Sequence, residues 1–182
     1  MNRKYILIYT LFFAVIFTFH NSYSQNAGSK KAYISSMMAS GSKLTKKTIT
    51  LSENEKKEIN TFLKISDTPN NVTFINIKSN NGDLQRSITF IQRILPEYNQ
   101  DHTIGIVINH DGTVHDASLI NAVEEYPLML AIKSFTGQFK GKGLKNTLFQ
   151  KDINGVTGAT ESAKVFNDAV RIALKVFKKH LL

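Results

Sequence analysis

Cysteine is absent from all 182 residues, which excludes a disulfide framework, thiolate chemistry, a Cys-ligated metal centre and a diacylglycerol-modified lipoprotein. Such a chain depends on its hydrophobic core. No internal repeat occurs, so one compact domain is expected. Long runs of one charge sign are missing too. The net charge of +9 is spread over pairs such as Lys30-Lys31, Lys46-Lys47, Lys56-Lys57 and Lys178-Lys179. Scattered pairs describe solvated faces, and no nucleic-acid partner is expected. The functional alternative is attraction to anionic lipid head groups or to an acidic redox partner, and either would weaken with salt.

At the N-terminus, Asn2-Arg3-Lys4, an apolar run over 5–19 and Ser22-Tyr23-Ser24 follow the order of a secretory signal: charged, apolar, small at the cleavage site. The run falls short of the roughly 20 residues that span a bilayer comfortably, so cleavage before Gln25 is preferred to an uncleaved anchor. Residues 1–24 are therefore expected to be a signal peptide, whose removal takes away Arg3 and Lys4 and lowers the charge of +9 by two. Residues 25–49 are polar, rich in Lys and Ser and without sustained periodicity, which predicts a tether or loosely ordered lead-in. Residues 50–182 form the expected domain.

Within that domain, Ser52 followed by Glu55 is a capping box, and Ile59, Phe62 and Leu63 give one apolar stripe on a short helix ending before Pro69. Residues 72–78 alternate with β-branched and aromatic side chains. The turn Asn80-Asn81-Gly82-Asp83 then predicts a returning strand over 84–95. Leu84, Ile88, Ile91 and Leu95 also fit helical spacing; the turn between two β-rich runs favours the strand. His110 and His115 flank the Asp111-Gly112 turn, and a two-residue turn would set them on one face. Polar hairpin ends are common, however, and no metal site is expected. The sequon Asn71-Val72-Thr73 carries no functional weight. Over 161–182, Val165, Ala169, Val170, Ala173, Val176 and Phe177 recur at helical intervals, and Lys178, Lys179 and His180 complement the carbonyl end. The expected fold is a single α+β domain: an antiparallel sheet of hairpins packed by an early helix and a C-terminal helix.

Chemistry concentrates just before that last helix, at Thr157-Gly158-Ala159-Thr160. Backbone N–H groups at a helix N-terminus attract phosphate, and Gly155 and Gly158 let the backbone approach without a Cβ in the way. The bland alternative is a surface helix that Thr160 merely caps. No constellation of His, Arg or Tyr near the motif offers an acid or base for a substrate.

The wider segment Lys151-Asp152-Ile153-Asn154-Gly155-Val156-Thr157-Gly158-Ala159-Thr160-Glu161-Ser162 resembles the flavinylation motif of the FMN-binding domain family, which ends in Ser/Thr-Gly-Ala-Thr. Upstream, Ser134-Phe135-Thr136-Gly137-Gln138-Phe139-Lys140-Gly141-Lys142 is similar to the family's Phe-x-x-Gln-Phe-x-Gly-Lys stretch. The run 104–108, the Asp111-Gly112 turn and 113–120 are similar to its strand-turn-strand element. The likeness covers about 72–180. That family includes the flavin-carrying subunits of the Rnf and sodium-pumping NADH:quinone reductase complexes.

The resemblance implies FMN as cofactor, esterified through its phosphate to Thr160 by a separate flavin transferase with FAD as donor. It marks Thr160, Thr157, Gly158, Ala159, Ser162 and Asn154 as cofactor-binding residues. Glu124-Glu125-Tyr126-Pro127 resembles the acidic-to-helical segment that approaches the flavin, adding Glu125 and Phe139 as candidates, with core packing as the default for Phe139. Two positions depart from the pattern: Asn154 stands where the family has Asp, and Ala163 where it often has Ser. Asn keeps the local hydrogen-bonding shape of Asp but loses the charge. The implied protein is an exported FMN carrier, periplasmic or on the outer face of the inner membrane, passing electrons between membrane-associated redox proteins. The alternative is a secreted module that binds FMN or another phosphorylated ligand non-covalently, and a third reading is a flavoenzyme with its own substrate.

Overall fold

The computed structural model describes residues 30–96, 100–120 and 128–182. The expected signal segment, Glu125 and the acidic stretch around it lie outside the described residues. Five antiparallel strands follow one another in chain order: β1 (Lys43–Thr50), β2 (Asn71–Lys78), β3 (Leu84–Leu95), β4 (Gln100–Asn109) and β5 (Val114–Ile120). A short helix, α1 (Lys30–Ser36), precedes the sheet, and α2 (Glu53–Leu63) links β1 to β2. After β5 come two single turns, α3 (Leu128–Ala131) and α4 (Lys133–Thr136), 3-10 turns at Gly137–Phe139 and Leu144–Asn146, and the long α5 (Thr160–His180). This is the α+β arrangement read from the sequence.

Alternation decides the strand assignment of 84–95. Phe74 pairs with Thr89 and Ile91 with Ile104, so Phe74, Ile91, Leu95, Ile104, Ile106 and Ile108 share one core with α5. A helix over 84–95 would have left β2 and β4 without the strand that joins them. The β4–β5 connection is longer than the two-residue turn expected. Ile108 pairs with Val114, and a register shift at Val107/Ile108 breaks the simple hairpin geometry behind the proposed His110 and His115 pairing. Among the described residues no group of three His, Asp or Glu is gathered to hold a metal.

The polar lead-in is where the structure departs most from expectation. Residues 30–36 form α1, and 43–50 form an edge strand hydrogen-bonded to β2. Main-chain bonding carries β1, because of its side chains only Ile49 is buried. A strand with both faces wet has no hydrophobic alternation to read. α1 covers the sheet's outer face, where Tyr33 packs with Ile77, Ile88, Val107 and Ile120. Gly105 permits this contact, since a Cβ there would lie 2.8 Å from Tyr33 Cε1.

The inner face carries α2 and α5. The predicted capping box is present: Ser52 Oγ accepts the Glu55 N–H at 3.3 Å, and Glu55 Oε2 accepts the Ser52 N–H at 2.9 Å. Ile59 and Leu63 are buried as expected, but Phe62 is not, and it lies instead beneath the Arg171 and Lys175 cations. The apolar stripe read over 161–182 implies that the opposite face of α5 is wet. In the structure every residue from Phe166 to Leu174 is buried, including the polar Asn167, Asp168 and Arg171. Burial pushes the Asp168 carboxyl up even though Lys164 lies 3.0 Å away and Arg171 and Arg93 add positive charge. No helix among the described residues is long and apolar enough to cross a membrane.

Candidate functional site

The segment between the second 3-10 turn and α5 is a chain of tight turns. Leu148 and Asp152 close the first: the Asp152 N–H reaches the Leu148 carbonyl at 2.8 Å, and Asp152 Oδ2 accepts the Leu148 N–H at 2.9 Å. A second turn closes when the Ala159 N–H donates to the Val156 carbonyl at 2.9 Å. Gly158, third in this turn, has φ 81°, the left-handed value that a type II turn requires there. Ala159 is buried and its carbonyl accepts the Ala163 N–H, the first bond of α5.

Thr160 is therefore the first residue inside the helix, and Ala159 is its N-cap, with no side-chain capping bond. The capping role offered as the bland reading of Thr160 is not the one it plays. Its side chain is exposed, and Oγ1 donates to the Val156 carbonyl at 3.3 Å, long for a hydroxyl bond. A loosely held hydroxyl thus stands at the positive end of a helix of 21 residues.

The two sequence blocks meet here. Gln138 clasps the backbone of Asn154: Oε1 accepts the Asn154 N–H at 2.8 Å, and Nε2 donates to the Asn154 carbonyl at 3.4 Å. Gln138 Nε2 also reaches the Ser134 carbonyl at 3.2 Å. Lys142 Nζ donates to the Asp152 carbonyl. A glutamine and a lysine from the upstream block thus hold the motif loop from one side.

Residues 97–175 match the FMN-binding domain family. That match indicates FMN as the cofactor. No curated protein matches the chain.

The FMN-binding domain brings Thr157, Gly158, Ala159, Thr160 and Asn154 into one surface loop, all exposed but Ala159. Ser162 lies in the first helical turn and is buried. Phe139 takes the core role: it is fully buried, tilted against Phe166 and edge-on to Phe135 at 5.6 Å between ring centroids. These residues fit a phosphate-borne group. The hydroxyl is exposed at the positive end of α5, and Gly158 removes a side chain from the approach.

Asp152 was the nearest acid to the position where the family has Asp. Its carboxylate is committed to the Leu148 N–H, so it does not stand in for the charge that Asn154 lacks. Two contributors were missed in the sequence. Gln138 acts through a pairing across the fold, and Phe149 underlies Gly155, whose Cβ would meet the Phe149 ring at 3.3 Å and Thr160 Cγ2 at 3.5 Å. The glycine before the motif was the available signal for that close approach.

Proposed function

We propose that the protein is an exported flavoprotein whose FMN is joined through its phosphate to Thr160 Oγ1, and that it passes electrons between membrane-associated redox proteins. The observation that carries this reading is Thr160 itself: a helix-first threonine whose hydroxyl is exposed and not used as a cap. Attachment follows from a separate flavin transferase with FAD as donor. The Oγ1–P bond forms, the pyrophosphate bond breaks, AMP leaves and the hydroxyl proton is released. Bound FMN supplies one- and two-electron transfer without a catalytic side chain. The protein's part is position: Gly158 turns the chain, Gln138 and Lys142 fix the loop, and the α5 N-terminus offsets phosphate charge. A covalent bond suits a protein outside the inner membrane, where a dissociating cofactor would be lost by dilution.

Intact mass after denaturation, with a flavin transferase co-produced, tests the bond. The expected result is a gain of FMN less one water in the wild type and none in Thr160→Val, with circular dichroism unchanged. Flavin retained by the Thr160→Val variant after denaturation would overturn the assignment. Asn154 supports a second reading, in which the same loop holds FMN without a bond; denaturation would then strip flavin from the wild type as well.

A further inference from the structure

The lysine pairs are scattered in the sequence, but folding gathers several of these residues where the sheet edge meets the C-terminal end of α5. Lys43 of β1 stands directly opposite Lys78 of β2. Like charges so placed repel, which weakens the pairing of the two strands. Lys47, on the same face of β1 as Lys43, reaches the last turn of α5, where its Nζ donates to the His180 carbonyl at 2.9 Å. Lys178 in that turn and Lys46 on β1 are exposed.

The acids of this region do not neutralise the cluster. Glu55 and Glu58 pair with Lys175, Lys179 and His180 instead. Among the described residues no carboxylate bridges Lys43, Lys46, Lys47, Lys78 or Lys178, while Asp83, in the turn after β2, sets a single negative charge against them. Leu44 lies exposed between the lysines of β1. A repelling pair without counter-charge is relieved by any surface that supplies negative charge.

We propose that this end of the molecule docks on a membrane surface of anionic phospholipid. The cluster is built of lysines, with neither an arginine nor an aromatic ring among them. Protein interfaces are enriched in Arg and aromatic residues and depleted in Lys. Lysines beside an anionic bilayer, in contrast, each add attraction without a fitted partner. Leu44 adds an apolar side chain at the depth of the head groups. Thr160 begins the other end of α5, and a rise of about 1.5 Å per residue over its 21 residues puts it roughly 30 Å away along the helix. Docking by the C-terminal end therefore leaves the motif loop clear of lipid. The proposal stands without the Thr160 bond, because no flavin enters it.

The test sediments flavin-free protein, purified after export and with its N-terminus established by intact mass, with phosphatidylcholine vesicles and with vesicles containing about 30% phosphatidylglycerol. The wild type should bind the anionic vesicles alone and be released as salt rises to about 0.5 M. The double variant Lys43→Gln, Lys78→Gln should bind them about tenfold or more weakly. It should also melt no lower than the wild type, since a repulsion is removed. The double variant Lys31→Gln, Lys133→Gln makes the same change in net charge away from the cluster and should bind as the wild type does. Equal losses in the two double variants would overturn the docking face, as would a wild type that ignores anionic vesicles or binds neutral ones equally well. If soluble polyglutamate, matched to the vesicles in negative charge, strips the protein from them, the face fits an acidic protein and the lipid assignment falls.

Discussion

Gly158 shows how much a single backbone angle governs at this site. At φ 81° any L side chain is strained. Gly158→Ala is expected to lower stability by about 1 kcal/mol and to reduce flavin loading by more than that loss of folded protein explains. Thermal melting and intact mass on the same sample separate the two effects. Gln138→Leu should show the same pattern, with a melting change worth no more than about 1 kcal/mol and markedly slower loading, because the Asn154 backbone it clasps is already at the surface. Thr160 and Gly158 were singled out in the sequence by the likeness of the whole segment to the family motif, since a threonine and a glycine beside a helix start also suit a plain cap. The Gln138 clasp was not, since it joins residues 16 apart across a loop whose path only the fold determines. Phe139 shows the opposite limit: motif membership marked it, but its ring belongs to the core.

Between elements, the junction of α2 and α5 is ionic. Glu58 meets Lys175 at 2.8 Å and Lys179 at 3.1 Å, and Glu55 meets Lys179 at 3.3 Å and His180 at 3.2 Å. The Ser52 backbone N–H, then the Ser52 hydroxyl and Lys179, hold the Glu55 carboxyl down at about 2. A carboxylate depressed on folding contributes stability above its unfolded pKa of about 4.3, and that contribution is lost as pH falls through the folded value. Glu55→Gln should therefore melt below the wild type at neutral pH, and the two curves should converge as pH falls from about 4.3 toward 2. Thermal melts across that range provide the check. The capping box behind this was visible as Ser52 and Glu55. The polar residues buried mid-helix in α5 were not, because Asn167, Asp168 and Arg171 read as a solvent face until β3 and its Arg93 are brought against them.

For the molecule as a whole, the antiparallel sheet and its two inner helices followed from alternation and helical spacing, while α1 and β1 escaped because neither carries a sustained apolar pattern. The aromatic set of Phe135, Phe139 and Phe166 ties the segment before the motif to α5. Phe139→Ala is expected to cost about 3–5 kcal/mol, read by chemical denaturation, with flavin loading falling only as the folded fraction falls. β1 has a further consequence. Among the described residues, one side of its backbone is unpaired at the end of the sheet, a template onto which a strand from another molecule could add. Lys43, Lys46 and Lys47 lie exposed along it. Two such edges brought together would align like charges, so the basic residues that seemed to describe only a wet surface also keep copies of this protein from zipping into aggregates.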